Sequence, residues 1–216
     1  MRVAVFDLDG TLADTGADLI AAANAALAGR GRRLDPLHDR ATAFAGGRAM
    51  LRAGLGAGHE DEIERLYPVL LDAYAGALAV ETRLYDGAET ALDRLAATGW
   101  GLAVCTNKPE GLAISLLAAL GIGGRFRAVL GADTLAFRKP DPRHLVETIL
   151  RAGGVRERAV LVGDTVNDRE AARAAGVPCV LVGFGPEGAG AAALAPEAML
   201  GHYDELPELL ERLVPG

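Results

Sequence analysis

The sequence is poor in the residues that mark several common classes of protein. It has two cysteines and four histidines without metal-ligand spacing, so neither a disulfide framework nor a zinc site is expected. Its net charge of -7 argues against nucleic-acid binding, which needs clustered cations. No stretch reaches the roughly 18 uncharged apolar residues of a membrane span, and Asp7 comes too early for a signal-peptide core. We therefore expect a soluble cytoplasmic protein without a membrane partner.

What the sequence does contain is a set of short apolar runs separated by helical patterns. Half of the residues are hydrophobic, enough for a substantial core. Runs bounded by Gly, Pro, Asp or Asn predict buried parallel strands at Val3–Phe6, Leu102–Cys105, Ala128–Leu130, Val160–Val162 and Cys179–Val182. The alternation of strands with helices predicts an α/β fold with a doubly wound, Rossmann-like parallel sheet.

The segment between the first two runs has a different pattern. From Gly16 to Arg83 only helical pieces are recognisable, which predicts an inserted helical cap that acts as a lid. The expected organisation is a core domain of residues 1–15 and 84–216 and a cap domain of residues 16–83. Asp14, Thr15 and Arg83 mark the chain crossings and are the expected hinges. Further on, helices are predicted from Ala88 to Ala97 and from Glu205 to Leu213, with a loop and a loose helix between Gly185 and Leu200.

Polar residues follow the first four predicted strands and would meet at one edge of the sheet. In "DLDGT", Asp7 and Asp9 lie two residues apart, on one side of a strand at about 7 Å. Such a pair is either an acidic turn or half of a reactive site that needs a cation or a proton. The second strand ends in "TNK" (Thr106, Asn107, Lys108), "RKPDP" (Lys139) comes after the third, and the fourth ends in "GDTVND" (Asp164, Asp168). Each segment alone is also compatible with an ordinary turn or helix cap, but four in order favour a common site.

The order "DLDGT", "TN", "RKPDP", "GDTVND" resembles the haloacid dehalogenase superfamily of aspartate-based phosphotransferases, in particular its phosphoglycolate-phosphatase-like branch with a helical cap. The stretch "VGFGPEG" departs from that branch. The resemblance implies a phosphatase and adds the backbone carbonyl of Asp9 as a metal ligand.

The chemistry of the residues fits that expectation. A carboxylate attacks phosphorus to form an acyl-phosphate, and Asp7 is the expected nucleophile. Because the carboxylate and the phosphate are both anions, their repulsion must be offset by a divalent cation and a fixed positive group. Asp7 and Asp164 supply oxygen ligands suited to Mg²⁺, and Asp168, one helical turn on, would hold a metal-bound water.

The remaining residues are expected to move protons and hold the phosphoryl group. Asp9, crowded by carboxylates, should have raised proton affinity and serve as general acid and then base. Lys139 would neutralise Asp7 and bind the transferring phosphoryl group, and the Thr106 hydroxyl would hold phosphoryl oxygens. Gly10, which permits the tight turn, and Asn107 complete the expected substrate-binding group in the core.

Substrate choice is expected to come from the cap. Arg48 follows two flexible glycines and would pair with a substrate carboxylate, although a solvated helix position explains it equally well; Arg52 is similarly undecided. The best single substrate is 2-phosphoglycolate, within the class of small phosphorylated metabolites. A β-phosphoglucomutase-like phosphoryl transfer and a non-catalytic phospho-ligand-binding protein are the alternatives, and the expected state is a monomer or homodimer.

Overall fold

The computed structural model describes the whole chain, from Met1 to Gly216, as alternating strands and helices. Its elements are β1 (Val3–Phe6), β2 (Ala13–Asp14), α1 (Gly16–Ala26), α2 (Arg40–Phe44), α3 (Gly47–Leu55), α4 (Glu60–Ala75), β3 (Arg83–Leu84), α5 (Ala88–Ala97), β4 (Gly101–Cys105), α6 (Glu110–Ala119), β5 (Ala128–Leu130), α7 (Pro142–Arg151), β6 (Ala159–Gly163), α8 (Val166–Ala175), β7 (Cys179–Val182), β8 (Ala198–Leu200) and α9 (Leu206–Leu213). Short 3₁₀ helices lie at Gly123–Arg125, Arg156–Arg158, Gly188–Leu194 and Tyr203–Glu205.

Six of the strands form one parallel sheet in the order β5–β4–β1–β6–β7–β8. At its centre, Val3 of β1 lies opposite both Gly101 of β4 and Ala159 of β6. Strands β1, β4, β6 and β7 are buried along their whole length, as continuous apolar runs require in a sheet covered on both faces. The predicted α/β fold with a doubly wound parallel sheet is confirmed, and the carboxyl ends of β1, β4 and β6 share one edge.

The edge strand β8 lies where the sequence pattern predicted a loop and a loose helix. That prediction was wrong for Ala198–Leu200, which pair with β7. Glu197 aligns the segment, because its N–H donates to the Cys179 carbonyl at 3.0 Å and its carboxylate accepts from the Cys179 N–H at 2.7 Å. The three residues continue an Ala-rich stretch that suits a helix equally well, so their own pattern does not distinguish a strand.

The helices of the core begin and end where local chemistry dictates. Asp141 caps α7 by accepting the Arg143 N–H at 2.9 Å, with Pro142 in the first helical position. Gly176 caps the C-terminus of α8 with a left-handed φ of 70°, which glycine adopts at little cost. On one face of the sheet, Leu145 and Ile149 of α7 pack in a core cluster with side chains of β1 and β6.

None of the helices combines the length and the apolar character that crossing a membrane requires.

The chain divides into two compact units, one of residues 1–13 and 84–216 and the other of residues 14–83. The first unit contains the parallel sheet and its helices. The two crossings fall within β2 and β3, which pair as a separate two-stranded sheet.

The second unit consists of α1 to α4. Ile20 of α1 and Ile63 and Leu70 of α4 are buried in its interior. Asp18 of α1 accepts hydrogen bonds from the Glu81 N–H and from both the N–H and the hydroxyl of Thr82, at 2.7 to 3.1 Å. This carboxylate therefore fastens the end of the unit to its first helix.

Candidate active site

The turn after β1 is built so that it can lie directly on the residues after β6. Gly10 has a φ of +81°, and a Cβ at this position would come within 2.5 Å of Asp164 Oδ2. Any other residue would therefore be strained in backbone conformation and would collide with a carboxylate. The Thr11 hydroxyl donates to Asp164 Oδ1 at 2.9 Å. This contact joins the ends of two neighbouring strands.

Three buried carboxylates converge at this edge of the sheet. Carboxylate oxygens of Asp7, Asp164 and Asp168 all lie within 4.8 Å of one another. Burial, followed by the negative charges of Asp168 and Asp7, raises the pKa of Asp164 well above its usual value. Asp164 Oδ2 is buried and has no hydrogen-bond partner. A buried carboxylate oxygen without a partner is costly, and a cation is the natural way to satisfy it.

Lys139 is the cation that the structure places in this cluster. Its Nζ lies 2.6 Å from Asp168 Oδ1 and 3.0 Å from Asp7 Oδ2, and its side chain is 1% exposed. Burial opposes the ammonium charge, but attraction to Asp168 and Asp7 outweighs it and raises the pKa of Lys139. Lys139 therefore stays protonated.

Asp7 is held in place but remains poorly solvated. Its Oδ1 accepts the Leu8 N–H at 2.7 Å. Burial raises the pKa of Asp7 to about 6, although Lys139 works in the opposite direction. An ionised Asp7 has thus lost much of its hydration while keeping a directing cation, which suits a nucleophile.

Asp168 has little capacity left for a metal ion. Its Oδ2 accepts the Thr165 hydroxyl at 2.9 Å and the N–H groups of Thr165 and Asp164 at 3.1 and 3.3 Å. With Oδ1 on Lys139, its oxygens are engaged by the protein, and it caps the first turn of α8 as part of a capping box. Its predicted place in the metal site is best understood as an outer position that fixes Lys139.

Sequence reasoning missed the partner of Asp9. Lys108 follows β4, and its Nζ lies 2.9 and 3.1 Å from the two oxygens of Asp9. The expectation that carboxylates crowd Asp9 therefore left out a cation that contacts both of its oxygens. The available signal was the lysine in "TNKP", since it directly follows two predicted site residues.

Thr106 and Asn107 lie at the end of β4, as predicted, and both have contacts within the site. The Thr106 hydroxyl oxygen accepts the Lys108 N–H at 3.2 Å. The Asn107 amide donates to the Lys139 carbonyl at 3.0 Å. Asn107 thus fixes the backbone of Lys139, whereas its predicted contact with substrate stays a prediction.

Arg48, predicted for substrate binding, has its partners inside the second unit. Its guanidinium binds Glu64 through two hydrogen bonds of 2.6 and 2.8 Å and lies 3.8 Å from the Tyr67 ring centre. Arg52 binds Glu60 in the same way, at 2.9 and 2.6 Å. These pairs give both arginines a role in joining α3 to α4, and substrate contact by Arg48 stays a prediction.

The donor set of the cluster fits a small divalent cation. Asp7, Asp164 and Asp168 with Lys139 leave a formal excess of two negative charges when all are ionised. The ligands are all oxygens, and one of them, Asp164 Oδ2, has no other partner. Mg²⁺ binds through one or two carboxylates and keeps several waters, which matches Asp7 and Asp164 as direct ligands.

Known proteins resemble this chain in sequence and in fold. The sequence matches the haloacid dehalogenase-like hydrolase family over residues 4–182. The chain belongs to this family. A protein of Mesorhizobium japonicum named phosphoglycolate phosphatase is 42% identical, covering 98% of this chain and 96% of its own length. A phosphoglycolate phosphatase of Agrobacterium fabrum is 41% identical, covering 98% and 94%.

Solved structures show that the likeness in fold covers nearly the whole chain. The crystal structure of a predicted phosphoglycolate phosphatase from Haemophilus somnus is 28% identical with a TM-score of 0.76, covering 97% of both chains. A hydrolase from Pseudomonas syringae, at 21% identity and a TM-score of 0.78, covers 99% of this chain and all of its own and shares the fold. The family that the motifs predicted is confirmed, as is an enzyme of the hydrolase class.

Proposed function

We propose that the protein hydrolyses the phosphate monoester of a small metabolite through an aspartyl-phosphate on Asp7. The observation that carries this proposal is the pairing of Asp7 with Lys139 at 3.0 Å, next to the unpartnered Oδ2 of Asp164. Phosphoryl transfer requires a nucleophile, a fixed positive charge and oxygen ligands for a metal ion. Asp7, Lys139 and Asp164 Oδ2 supply these three.

In the first half-reaction, an Asp7 oxygen forms a bond to phosphorus while the bond from phosphorus to the ester oxygen breaks. Asp9 gives its proton to that leaving oxygen, which departs as an alcohol. Lys108, on both oxygens of Asp9, orients the carboxyl group. Lys139 balances the negative charge that gathers on Asp7 and the phosphoryl oxygens.

In the second half-reaction, Asp9 takes a proton from water as the water oxygen attacks phosphorus. The bond between Asp7 and phosphorus breaks, and inorganic phosphate leaves with Asp7 regenerated. The Thr106 hydroxyl and the neighbouring N–H groups hold the phosphoryl oxygens throughout. Mg²⁺ on Asp7, Asp164 and the Asp9 carbonyl would supply charge neutralisation for both steps.

We propose 2-phosphoglycolate as the preferred substrate. Support comes from the two relatives named phosphoglycolate phosphatase that are 42% and 41% identical over nearly the whole chain. The carboxylate of this substrate calls for a cation, and Arg48 stays our candidate within the cap.

A panel of phosphate esters, assayed with Mg²⁺ and with EDTA, tests the proposal. We expect Mg²⁺-dependent release of inorganic phosphate, fastest from 2-phosphoglycolate. Isomerisation of a sugar phosphate that needs an activating bisphosphate would instead indicate a mutase. Binding of phosphate esters without turnover would indicate a non-catalytic protein.

A further inference from the structure

A tyrosine from the C-terminal part of the chain contacts the turn that carries the site. Tyr203 is completely buried, and its hydroxyl donates to the Thr11 carbonyl at 2.8 Å across a sequence separation of 192 residues. Burial raises the pKa of Tyr203 well above its usual value, so the hydroxyl keeps its proton and remains a donor. Neither the proposed reaction nor the motifs give this residue a task.

The contact continues to the proposed metal ligand through Thr11. The Thr11 hydroxyl donates to Asp164 Oδ1 at 2.9 Å, which leaves Oδ2 of the same carboxylate without a partner. Because Thr11 is held by its carbonyl and itself holds Asp164 by its hydroxyl, the orientation of the carboxylate depends on the position of Thr11. The three residues form a chain of hydrogen bonds that ends at Asp164.

The Tyr203 ring lies in an aromatic cluster with Phe184 and Tyr85. Its centre lies 5.3 Å from that of Phe184, which in turn lies 4.9 Å from that of Tyr85. Next to Phe184, Gly185 approaches so closely that a Cβ there would lie 2.7 Å from the Gly10 carbonyl. Gly185, in the loop after β7, and the Tyr203 hydroxyl thus both lie against the Gly10–Thr11 turn.

We propose that Tyr203 is a positioning residue of the metal site, holding the Gly10–Thr11 turn so that Asp164 presents Oδ2 to the cation. This inference rests on the proposed function, since it takes Asp164 as a Mg²⁺ ligand. Groups that orient metal ligands typically change metal affinity by about 10- to 100-fold when removed. The role requires the hydroxyl and not merely the ring.

The test is Mg²⁺ titration of the metal-free protein by calorimetry, comparing wild type with Tyr203→Phe. This variant keeps the ring and deletes only the hydroxyl. We expect Mg²⁺ affinity to fall about tenfold or more, with turnover largely restored at saturating Mg²⁺. The matched control is Tyr85→Phe, which deletes a hydroxyl from the same aromatic cluster and should change the affinity far less.

The outcomes separate this inference from the proposed function. No Mg²⁺ binding by wild type would refute the proposed function itself. If wild type and Tyr203→Phe bind Mg²⁺ with equal affinity, the role of Tyr203 alone is overturned. The same holds if Tyr85→Phe loses as much Mg²⁺ affinity as Tyr203→Phe.

A double-mutant cycle checks the path through Thr11. Thr11→Val removes the hydroxyl that reaches Asp164 but keeps the carbonyl that Tyr203 contacts. If Tyr203 acts through Thr11, adding Tyr203→Phe to Thr11→Val weakens Mg²⁺ binding no further. Additive losses would overturn the proposed path.

Discussion

Basic and acidic side chains meet in both units of the protein, but in opposite surroundings. In the first unit, the side chains of Lys139 and Asp168 are 1% and 0% exposed. In the second, those of Arg48 and Glu64 are 42% and 58% exposed. Water screens the exposed pair, so it stabilises the fold only slightly. The buried charges interact through a poor dielectric, where they shift pKa values and are costly to leave unpaired.

The comparison separates charges that perform chemistry from charges that join helices. The largest expected effect is on turnover. Asp7→Asn removes the nucleophile and should lower kcat by at least about 10³-fold, measured with saturating substrate and Mg²⁺. Asp61→Asn, the same change on an exposed carboxylate of α4, should leave kcat unchanged. Comparable turnover in wild type and Asp7→Asn would remove the basis for the assigned nucleophile.

The second largest effect is expected on stability when the buried cation Lys139 is removed. Lys139→Met leaves Asp7 and Asp168 buried without their shared partner, and we expect the free energy of unfolding to fall by about 3–5 kcal/mol. Urea denaturation followed by circular dichroism measures this loss. A stability close to that of wild type would mean that the buried pairs contribute no more than exposed ones.

Replacing Asp164 should have a smaller effect on stability, and it should stabilise the protein where loss of Lys139 destabilises it. The pKa of Asp164 is raised by burial, so the folded state binds its proton more tightly than the unfolded state, and this stabilising contribution is lost as pH rises above the ordinary value near 3.8. Asp164→Asn removes the cost of the charge and should raise the Tm of the metal-free protein by roughly 2–4 °C at pH 8, with a smaller gain at pH 5.

Mg²⁺ should no longer stabilise Asp164→Asn, since this variant lacks the carboxylate that offers the unpartnered Oδ2 to the cation. Thermal unfolding in EDTA and in excess Mg²⁺ at both pH values provides the measurement. A lower Tm for Asp164→Asn in EDTA at pH 8 would contradict our account of the buried charge.

The smallest effect is expected in the second unit. Arg52→Met breaks the pair with Glu60, whose side chains are 48% and 60% exposed. Because water replaces the lost contact, the Tm should stay within about 2 °C of wild type, as measured by the same thermal unfolding. A drop in Tm as large as that of Lys139→Met in the same thermal unfolding experiment would erase the distinction between the two regions.

The sequence was most informative where a residue's position along the chain determines its place in the fold. Continuous apolar runs predicted five strands, and the parallel arrangement placed Asp7, Thr106 and Asp164 at one edge because each follows a strand. The short edge strand β8 was missed, because pairing with β7 and not its own pattern defines it.

Contacts that depend on side-chain direction were out of reach. The position of Lys108 after β4 brings it to this edge of the sheet, but nothing in the spacing indicates that it pairs with Asp9. Nor does the spacing indicate that Tyr203, 192 residues away, reaches Thr11. The partners of Arg48 likewise follow from the packing of α3 against α4, which sequence periodicity does not specify. The sequence therefore predicts which residues reach the edge of the sheet better than how they pair there.

The most direct test of the central claim is to trap the phosphorylated enzyme. Wild type and Asp9→Asn are mixed with p-nitrophenyl phosphate and Mg²⁺, quenched in acid within milliseconds and examined by peptide mass spectrometry. The good leaving group spares the need for an acid, so Asp9→Asn should accumulate a phosphoryl group on Asp7 that hydroxylamine removes. Phosphate on another residue, or turnover by Asp7→Asn at the wild-type rate, would contradict the account.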